Sequence, residues 1–186
     1  MKKLFWLLLA ALLITAACTQ KQTSQAETAD TGEYMAAGEE SDGVQRMHEY
    51  NFADTVTVDG RQYIYRLHRE ASDSLPVVVD DEGTRFADNV YTLAIMAGGQ
   101  EFFHRSFTKA AFASHLSNDF RQHGILDGMM FDPSLSGLAF AVSVSMPQSD
   151  MVEPLILRVD RQGGIAIERD ERSDADLDDS SDEDGV

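Results

Sequence analysis

The chain has 186 residues, of which 43% are hydrophobic and 9% aromatic, and its formal net charge at pH 7 is −17. This length suits one globular domain with a buried core and is short for two domains. The charge argues against nucleic acid as a partner, because proteins bind phosphates mainly through Lys and Arg. It also opposes direct adsorption of the chain to an anionic membrane surface.

The first seventeen residues are typical of a secretory signal peptide. Two lysines precede an apolar run from Leu4 to Ile14, and small residues follow it. A helix over residues 4–17 would rise only about 21 Å, whereas the hydrocarbon core of a bilayer is about 30 Å thick. The run is too short to span a membrane comfortably, so we expect residues 1–17 to be a cleaved signal peptide.

Cys18 is the only cysteine of the chain and directly follows the small residues. The pattern resembles a bacterial lipobox, in which this cysteine carries lipid and becomes the mature N-terminus, although Thr15 stands where Leu is usual. An ordinary signal peptide followed by an incidental cysteine is the alternative. Lipid on the Cys18 sulfur leaves no thiol for catalysis, disulfide formation or metal binding. The resemblance to lipoproteins also implies a location. Asp after the cysteine is typical of inner-membrane retention and acids behind it are typical of surface exposure, so Thr19 and the acid-free residues 19–22 lead us to expect the outer membrane and its periplasmic side.

Composition divides the remaining chain into three parts. Residues 18–43 hold the lipidated cysteine and a polar segment with almost no bulky aliphatic side chains, which predicts a disordered tether. Residues 44–172 predict a single globular domain with a net charge of −7. Residues 173–186 contain seven acids and no base, which predicts an acidic disordered tail.

Alternation of apolar and polar residues predicts strands in the domain. The runs Thr55–Val58 and Arg61–Arg69 flank Asp59-Gly60, the strongest short hairpin signal. Asn89–Met96 and Gln100–Phe107 flank a pair of glycines and predict a second hairpin.

The strand pattern resumes near the C-terminus. Leu138–Met146 alternates most regularly, with large apolar side chains on one face only. Leu155–Asp160 and Ile165–Asp170 flank Arg161–Gly164 and predict a third hairpin. These runs together predict a C-terminal β-meander.

One helix is predicted near residues 108–123. Thr108 is a candidate N-cap, Phe112, Leu116 and Phe120 recur every four residues, and Gly124 is a stop signal. The predicted fold class is therefore α+β, an antiparallel β-sheet of roughly six to eight strands with one packed amphipathic helix. The order of the strands, and whether the sheet closes, is not readable from the pattern.

These features together resemble a known family. The lipobox cysteine, the polar tether, the run YTLAIMAGGQEFFHRSFTKAAF and the closing meander are similar to the Bacteroidetes lipoproteins grouped as a domain of unknown function, DUF4738. The resemblance covers about residues 45–170. It implies a cell-envelope location and this architecture, but it carries over no activity and no catalytic residue.

Four residues are candidates for a metal or hydrolase site. His115, Asp119 and His123 are spaced by four residues, as in helical zinc motifs, and His104 ends the preceding strand. On a continuous helix the outer pair would lie about 12 Å apart along the axis and could not share one ion, so only neighbouring residues could chelate. The polar border of an amphipathic helix explains the same spacing. We therefore assign neither a metal nor a catalytic residue.

Two other polar groups have competing explanations. Four carboxylates in a turn-rich stretch are interpreted as solvated loop acids, with a glycosidase pair as the alternative, and they are Asp80, Asp81, Glu82 and Asp88. Arg61, Arg66 and Arg69 on one strand would suit either an anion site or a solvated sheet face.

The leading hypothesis is a lipid-anchored, non-enzymatic binding or accessory module for an unknown envelope protein or peptide, without a cofactor. The alternative is a small periplasmic hydrolase, with or without a metal, built on His104, His115, Asp119 and His123. A pocket with two convergent histidines would favour the enzyme, whereas a groove or an open sheet edge would favour binding.

Overall fold

The computed structural model describes residues 43–172. The predicted signal peptide, Cys18, almost all of the predicted tether and the acidic tail lie outside the described residues. The strands in chain order are β1 (Val44–Gln45), β2 (Tyr50–Val58), β3 (Arg61–Ala71), β4 (Val78–Val79), β5 (Arg85–Phe86), β6 (Asn89–Ala97), β7 (Gln100–Phe107), β8 (Ile125–Phe131), β9 (Leu138–Ser145), β10 (Val152–Val159) and β11 (Ile165–Arg169). A 3₁₀ helix, Lys109–His115, and a short α-helix, α1 (Asn118–His123), lie between β7 and β8.

The strands form two main antiparallel sheets of four strands each. The first has the order β2-β3-β6-β7 and the second the order β11-β10-β9-β8. A small third sheet has the order β1-β5-β4, and its β1–β5 pair is parallel. The predicted α+β class with mostly antiparallel strands is confirmed, but the strands of residues 43–172 number eleven and form three sheets instead of one sheet of six to eight strands.

All three predicted hairpins form. Asp59 and Gly60 both have left-handed backbone angles, with φ of 50° and 71°, as a two-residue turn between right-twisted strands requires. The other two turns connect β6 to β7 and β10 to β11. Two of these turns lie in the first sheet and the third lies in the second sheet.

The two main sheets share one hydrophobic core. On β3 the alternate residues Tyr63, Tyr65 and Leu67 are at most 2% exposed, while the residues between them face outward. Tyr65 lies edge-on to Phe140 of β9 with ring centroids 5.5 Å apart, so side chains of the two sheets meet directly. Burying one side chain of this size stabilises the folded state by about 1.5–3 kcal/mol. The core therefore holds the sheets together.

The predicted helix is divided into two segments. Leu116 and Ser117 have extended backbone angles between the 3₁₀ helix and α1, and the Ser117 side chain accepts the Phe120 N–H at the start of α1. Serine competes with helical hydrogen bonds in this way and favours a cap over a helix interior. The break lets Phe112 and Leu116 both enter the core, at 0% and 5% exposure. Within residues 43–172 neither helical segment is long and apolar enough to cross a membrane.

Gly124 ends α1 as predicted, but for a reason of packing. Its φ is −78°, so left-handed geometry is not the cause. A Cβ atom at this position would lie 2.7 Å from the Phe120 carbonyl oxygen and 2.7 Å from Val144 Cγ1. Only glycine fits between α1 and β9 here.

β8 was not predicted from the sequence. Its residues do not alternate regularly, and the pairing with β9 is shifted between Leu126 and Gly128 by a bulge. The bulge breaks the period of two on which strand prediction depends.

Tyr91 provides a test of the core through pH. It is 2% exposed, donates its hydroxyl to the Asp127 carbonyl at 2.6 Å, and burial raises its pKa to about 12. A tyrosine that ionises less easily in the folded state stabilises the fold fully below pH 10, and this contribution is lost as the pH rises from 10 to 12. We expect the wild type to lose about 2–3 kcal/mol of unfolding free energy over this range through Tyr91 alone.

Urea unfolding at pH 8, 10 and 11, followed by circular dichroism, measures this dependence. Tyr91→Phe removes the ionisable group and should show a shallower loss of stability between pH 10 and 11. An equal loss in both proteins would contradict the assignment.

Candidate functional site

An acidic groove of about 530 Å³ lies between three segments of the chain. One wall is the turn from Asp80 to Glu82, which joins β4 to β5, and the opposite wall is α1. The third segment, residues 146–151, connects β9 to β10. The volume is in the range of ligand sites in proteins.

The acidic turn is ordered by one of its own carboxylates. Asp80 Oδ1 accepts the backbone N–H groups of Glu82 and Thr84 at 3.0 and 2.8 Å. The Asp80 carboxylate is thus used within the turn. Asp81 and Glu82 are exposed and have no ion-pair partner among residues 43–172. Their charges are available to a ligand.

Helix α1 adds a carboxylate and an imidazole to the groove. Asp119 and His123 lie one turn apart and both line it. His123 Nδ1 lies 3.3 Å from the Val79 carbonyl oxygen, so the helix contacts the strand before the acidic turn. Asp119 has no ion-pair partner within the described part of the chain. The two walls of the groove are therefore joined at one side.

The connection from β9 to β10 supplies most of the apolar surface of the groove. Met146 donates its N–H to the Met151 carbonyl at 3.0 Å, and the Ser149 hydroxyl accepts the Met151 N–H at 3.1 Å. The Met151 side chain is 54% exposed although its backbone is fixed. Methionine side chains adapt to different partners because they are unbranched and polarisable.

A buried ion pair fixes the position of α1. Asp88 is 4% exposed, and its Oδ2 lies 3.6 Å from Lys109 Nζ. Lys109 also donates to the carbonyl of Gly124 at the end of α1, while Asp88 Oδ1 accepts the Leu126 N–H at 2.9 Å. Burial lowers the pKa of Lys109, and the Asp88 carboxylate opposes that shift. The interpretation of Asp88 as a solvated loop acid is thus wrong, because this carboxylate is enclosed and bonded.

The four candidate metal or hydrolase residues lie apart. His104 is exposed on β7 with its Nδ1 3.2 Å from Glu101 Oε1, and His115 is the last residue of the 3₁₀ helix. Neither lines the groove, which contains only Asp119 and His123 of the four. The break at Leu116 and Ser117 interrupts the helix on which the four-residue spacing was based. Within residues 43–172, no three His, Cys, Asp or Glu side chains are grouped so that they could hold one metal ion.

Ser149, His123 and Asp119 are side-chain types of a hydrolase triad and all line the groove. Their hydrogen bonds run elsewhere, since the Ser149 hydroxyl accepts from the Met151 backbone and the nearest partner of His123 Nδ1 is the Val79 carbonyl. A nucleophile must be bonded to its base to be activated. The arrangement therefore provides charge and shape rather than an activated nucleophile.

The three arginines of β3 do not form one anion site. Arg61 and Arg69 are the first and ninth residues of the strand, and Arg66 is exposed on its outer face. Arg69 donates to the His48 carbonyl at 2.9 Å and lies over the Tyr50 ring at 5.5 Å from the centroid. The hypothesis of a shared site is wrong because the strand separates the side chains.

Sequence reasoning did not single out the connection between β9 and β10 as part of a site. Its only signal was a stretch with Pro147 and polar residues after a regular strand. Lys109 had a clearer signal, since it is the single lysine of residues 44–172.

Fold and site define a two-sheet antiparallel domain with an acidic groove at the end of β9 and the start of β10. A family model described as Domain of unknown function (DUF4738) matches residues 29–167, and the chain therefore belongs to the DUF4738 family. The family predicted from the sequence is confirmed. No curated protein matches the chain.

The ion pair behind the groove can be tested by removing its cation. Lys109→Met leaves the enclosed Asp88 carboxylate without a counter-charge, and we expect it to lower the unfolding free energy by about 3–5 kcal/mol. Asp88→Asn added to Lys109→Met removes the buried charge but keeps the acceptor for the Leu126 N–H, so it should recover part of the loss. Urea unfolding measures both variants.

Arg105→Met is the matched control, because Arg105 is an exposed cation on neighbouring β7. It should change the unfolding free energy by less than about 0.5 kcal/mol. A double variant no more stable than Lys109→Met alone would refute the ion-pair explanation.

Proposed function

We propose that this protein is a lipid-anchored binding module of the cell envelope, and that the acidic groove receives a basic segment of a partner protein. The module has no catalytic role in this proposal. The observation that carries it is the groove itself, which is lined by four carboxylates and two methionines.

Charge complementarity identifies the occupant. Asp80, Asp81, Glu82 and Asp119 line the groove, and His123 is the single basic side chain among its lining residues. Potentials in a cleft lined by one sign of charge attract the opposite sign. A segment that carries Lys or Arg therefore matches this surface.

The apolar part of the groove favours a peptide over a simple cation. Met146 and Met151 line it, and Val152 beside them is 47% exposed. A ligand with both basic and apolar side chains would cover these groups and meet the carboxylates. Peptide segments of envelope proteins have this chemistry.

The anchor is proposed from the sequence. The lipobox-like pattern places lipid on Cys18, and two or more acyl chains give stable membrane attachment. Thr19 and the uncharged or basic residues that follow favour the outer membrane and its periplasmic side. The polar segment from residue 19 to 43 would give the domain reach from that membrane.

The groove is tested by neutralising two of its carboxylates. Asp81→Asn with Asp119→Asn keeps the shapes of the side chains and removes two charges. We expect the full chain in non-ionic detergent to bind a short peptide of Lys, Arg and Leu about three- to tenfold more weakly after this change. Fluorescence anisotropy of the labelled peptide measures the affinity, which should also fall as salt is added.

Glu70→Gln with Glu171→Gln is the matched control, since both acids are exposed and neither lines the groove. It removes the same number of charges and should leave the affinity within about twofold. Equal weakening by the two double variants would mean that net charge, and not the groove, attracts the peptide, and the proposal would fail.

The anchor has a separate test. Mass spectrometry of the mature N-terminus should find Cys18 acylated and residues 1–17 removed. Cys18→Ala should move the protein from the membrane fraction to the soluble fraction. Detection of an unmodified Cys18 in the mature wild-type protein would exclude lipid anchoring while leaving the groove proposal intact.

A further inference from the structure

A second, smaller pocket lies at the opposite end of β10 from the acidic groove. The turns that connect β2 to β3, β6 to β7 and β10 to β11 meet there around a space of about 140 Å³. Arg161 of the last turn pairs with Asp59 of the first at 3.0 Å. Gly163 lies against β7, since a Cβ there would be 3.5 Å from the Phe102 carbonyl oxygen. Three hairpins thus hold the pocket in place.

Two hydrogen-bond donors in this pocket have no partner. The guanidinium of Arg61 has neither an ion pair nor a hydrogen bond among residues 43–172, and its Cζ lies 5.5 Å from the centroid of the Tyr63 ring. Tyr63 is only 2% exposed, yet its hydroxyl has no hydrogen-bond partner within the same residues. The hydroxyl still reaches solvent, where a ligand can take the place of water, and both residues line the pocket.

The charges around the pocket indicate the class of ligand. Arg161 is neutralised by Asp59, and the lining residue Glu101 lies 3.2 Å from His104. Arg61 is therefore the one arginine of the lining whose charge is unpaired within residues 43–172. Arg61 and Glu101 line the same pocket, so one unpaired positive charge is present together with a carboxylate. This combination suits a ligand with one negative charge and disfavours a dianion.

The walls limit the size and polarity of the ligand. The rings of Tyr63 and Phe102 have centroids 6.0 Å apart, and Ala97 also lines the pocket. The Gln100 side-chain amide adds an N–H donor at the rim. A planar carboxylate fits the fork of a guanidinium, and a small apolar group attached to it would contact the rings.

We propose that Arg61, Tyr63 and Gln100 form a binding site for a monocarboxylate. Arg61 binds the carboxylate through its paired N–H groups, and the Tyr63 hydroxyl donates a further hydrogen bond. The carboxylate belongs either to a small free acid or to the C-terminus of a peptide, because both present the same group. This site is independent of the acidic groove and takes the opposite charge.

NMR titration of the full chain in non-ionic detergent, followed at the Gln100 side-chain amide, tests the site. Acetate should bind with a dissociation constant of about millimolar order, since a ligand of four heavy atoms cannot bind tightly. Titrations with N-acetyl-Ala-Ala and with its C-terminal amide distinguish a peptide C-terminus from a small free acid as the source of the carboxylate. Binding of the free-acid peptide about tenfold or more tightly than acetate, with none by the amide, identifies a peptide C-terminus. Equal affinity for acetate and the free-acid peptide identifies a small acid.

Arg61→Gln should lower the affinity for the carboxylate about tenfold or more, because it removes the guanidinium. Tyr63→Phe should lower it about three- to tenfold, because it removes one hydroxyl donor. Arg66→Gln is the matched control, since it removes a charge from the outer face of the same strand. It should leave the affinity unchanged. The proposal is overturned if Arg61→Gln and Arg66→Gln have the same effect, if phosphate binds more tightly than acetate, or if acetate produces no shift at Gln100.

Discussion

The ion pair of Asp88 and Lys109 occupies the seam where the two main sheets meet, and most of the architecture depends on that seam. Asp88 directly precedes β6 of the first sheet and accepts the N–H of Leu126 in β8 of the second. Asn89 follows it and donates to the Leu126 carbonyl at 2.9 Å. Tyr91 then reaches the carbonyl of Asp127. Three side chains near the start of β6 thus provide the hydrogen bonds that β8 would otherwise receive from a neighbouring strand.

Backbone groups of β8 at this seam need hydrogen-bond partners although they are enclosed, which explains why the polar residues Asp88 and Asn89 are buried there. An unpaired charge at this depth would cost several kcal/mol, so Asp88 and Lys109 depend on one another. Lys109 extends the arrangement to Gly124, and through it to α1. The position of the groove wall therefore follows from how the sheets are joined.

The acidic groove and the arginine-bearing pocket lie at opposite ends of β10. Its first residue lies beside the acidic groove, and its last residue precedes the turn with Arg161, at the arginine-bearing pocket. Hairpin turns form the arginine end, whereas α1 and two connections form the acidic end. The hydrogen-bonded strands of the two sheets hold both ends. The acidic groove is lined by connections and α1, whereas the smaller pocket also uses the strand residues Arg61, Tyr63 and Gln100.

The sequence by itself determined the local structure of this protein. Alternation of side chains and turn residues such as Asp59-Gly60 located three hairpins, because both act between residues close in the chain. The division of the helix at Leu116 and Ser117 and the existence of β8 were decided only by the tertiary structure, since both depend on packing against β9 and the core. The same holds for the buried ion pair and for the acidic groove. Asp88 and Lys109 are 21 residues apart, and the groove gathers residues between 80 and 151, so no spacing rule could place these side chains together before the two sheets had packed.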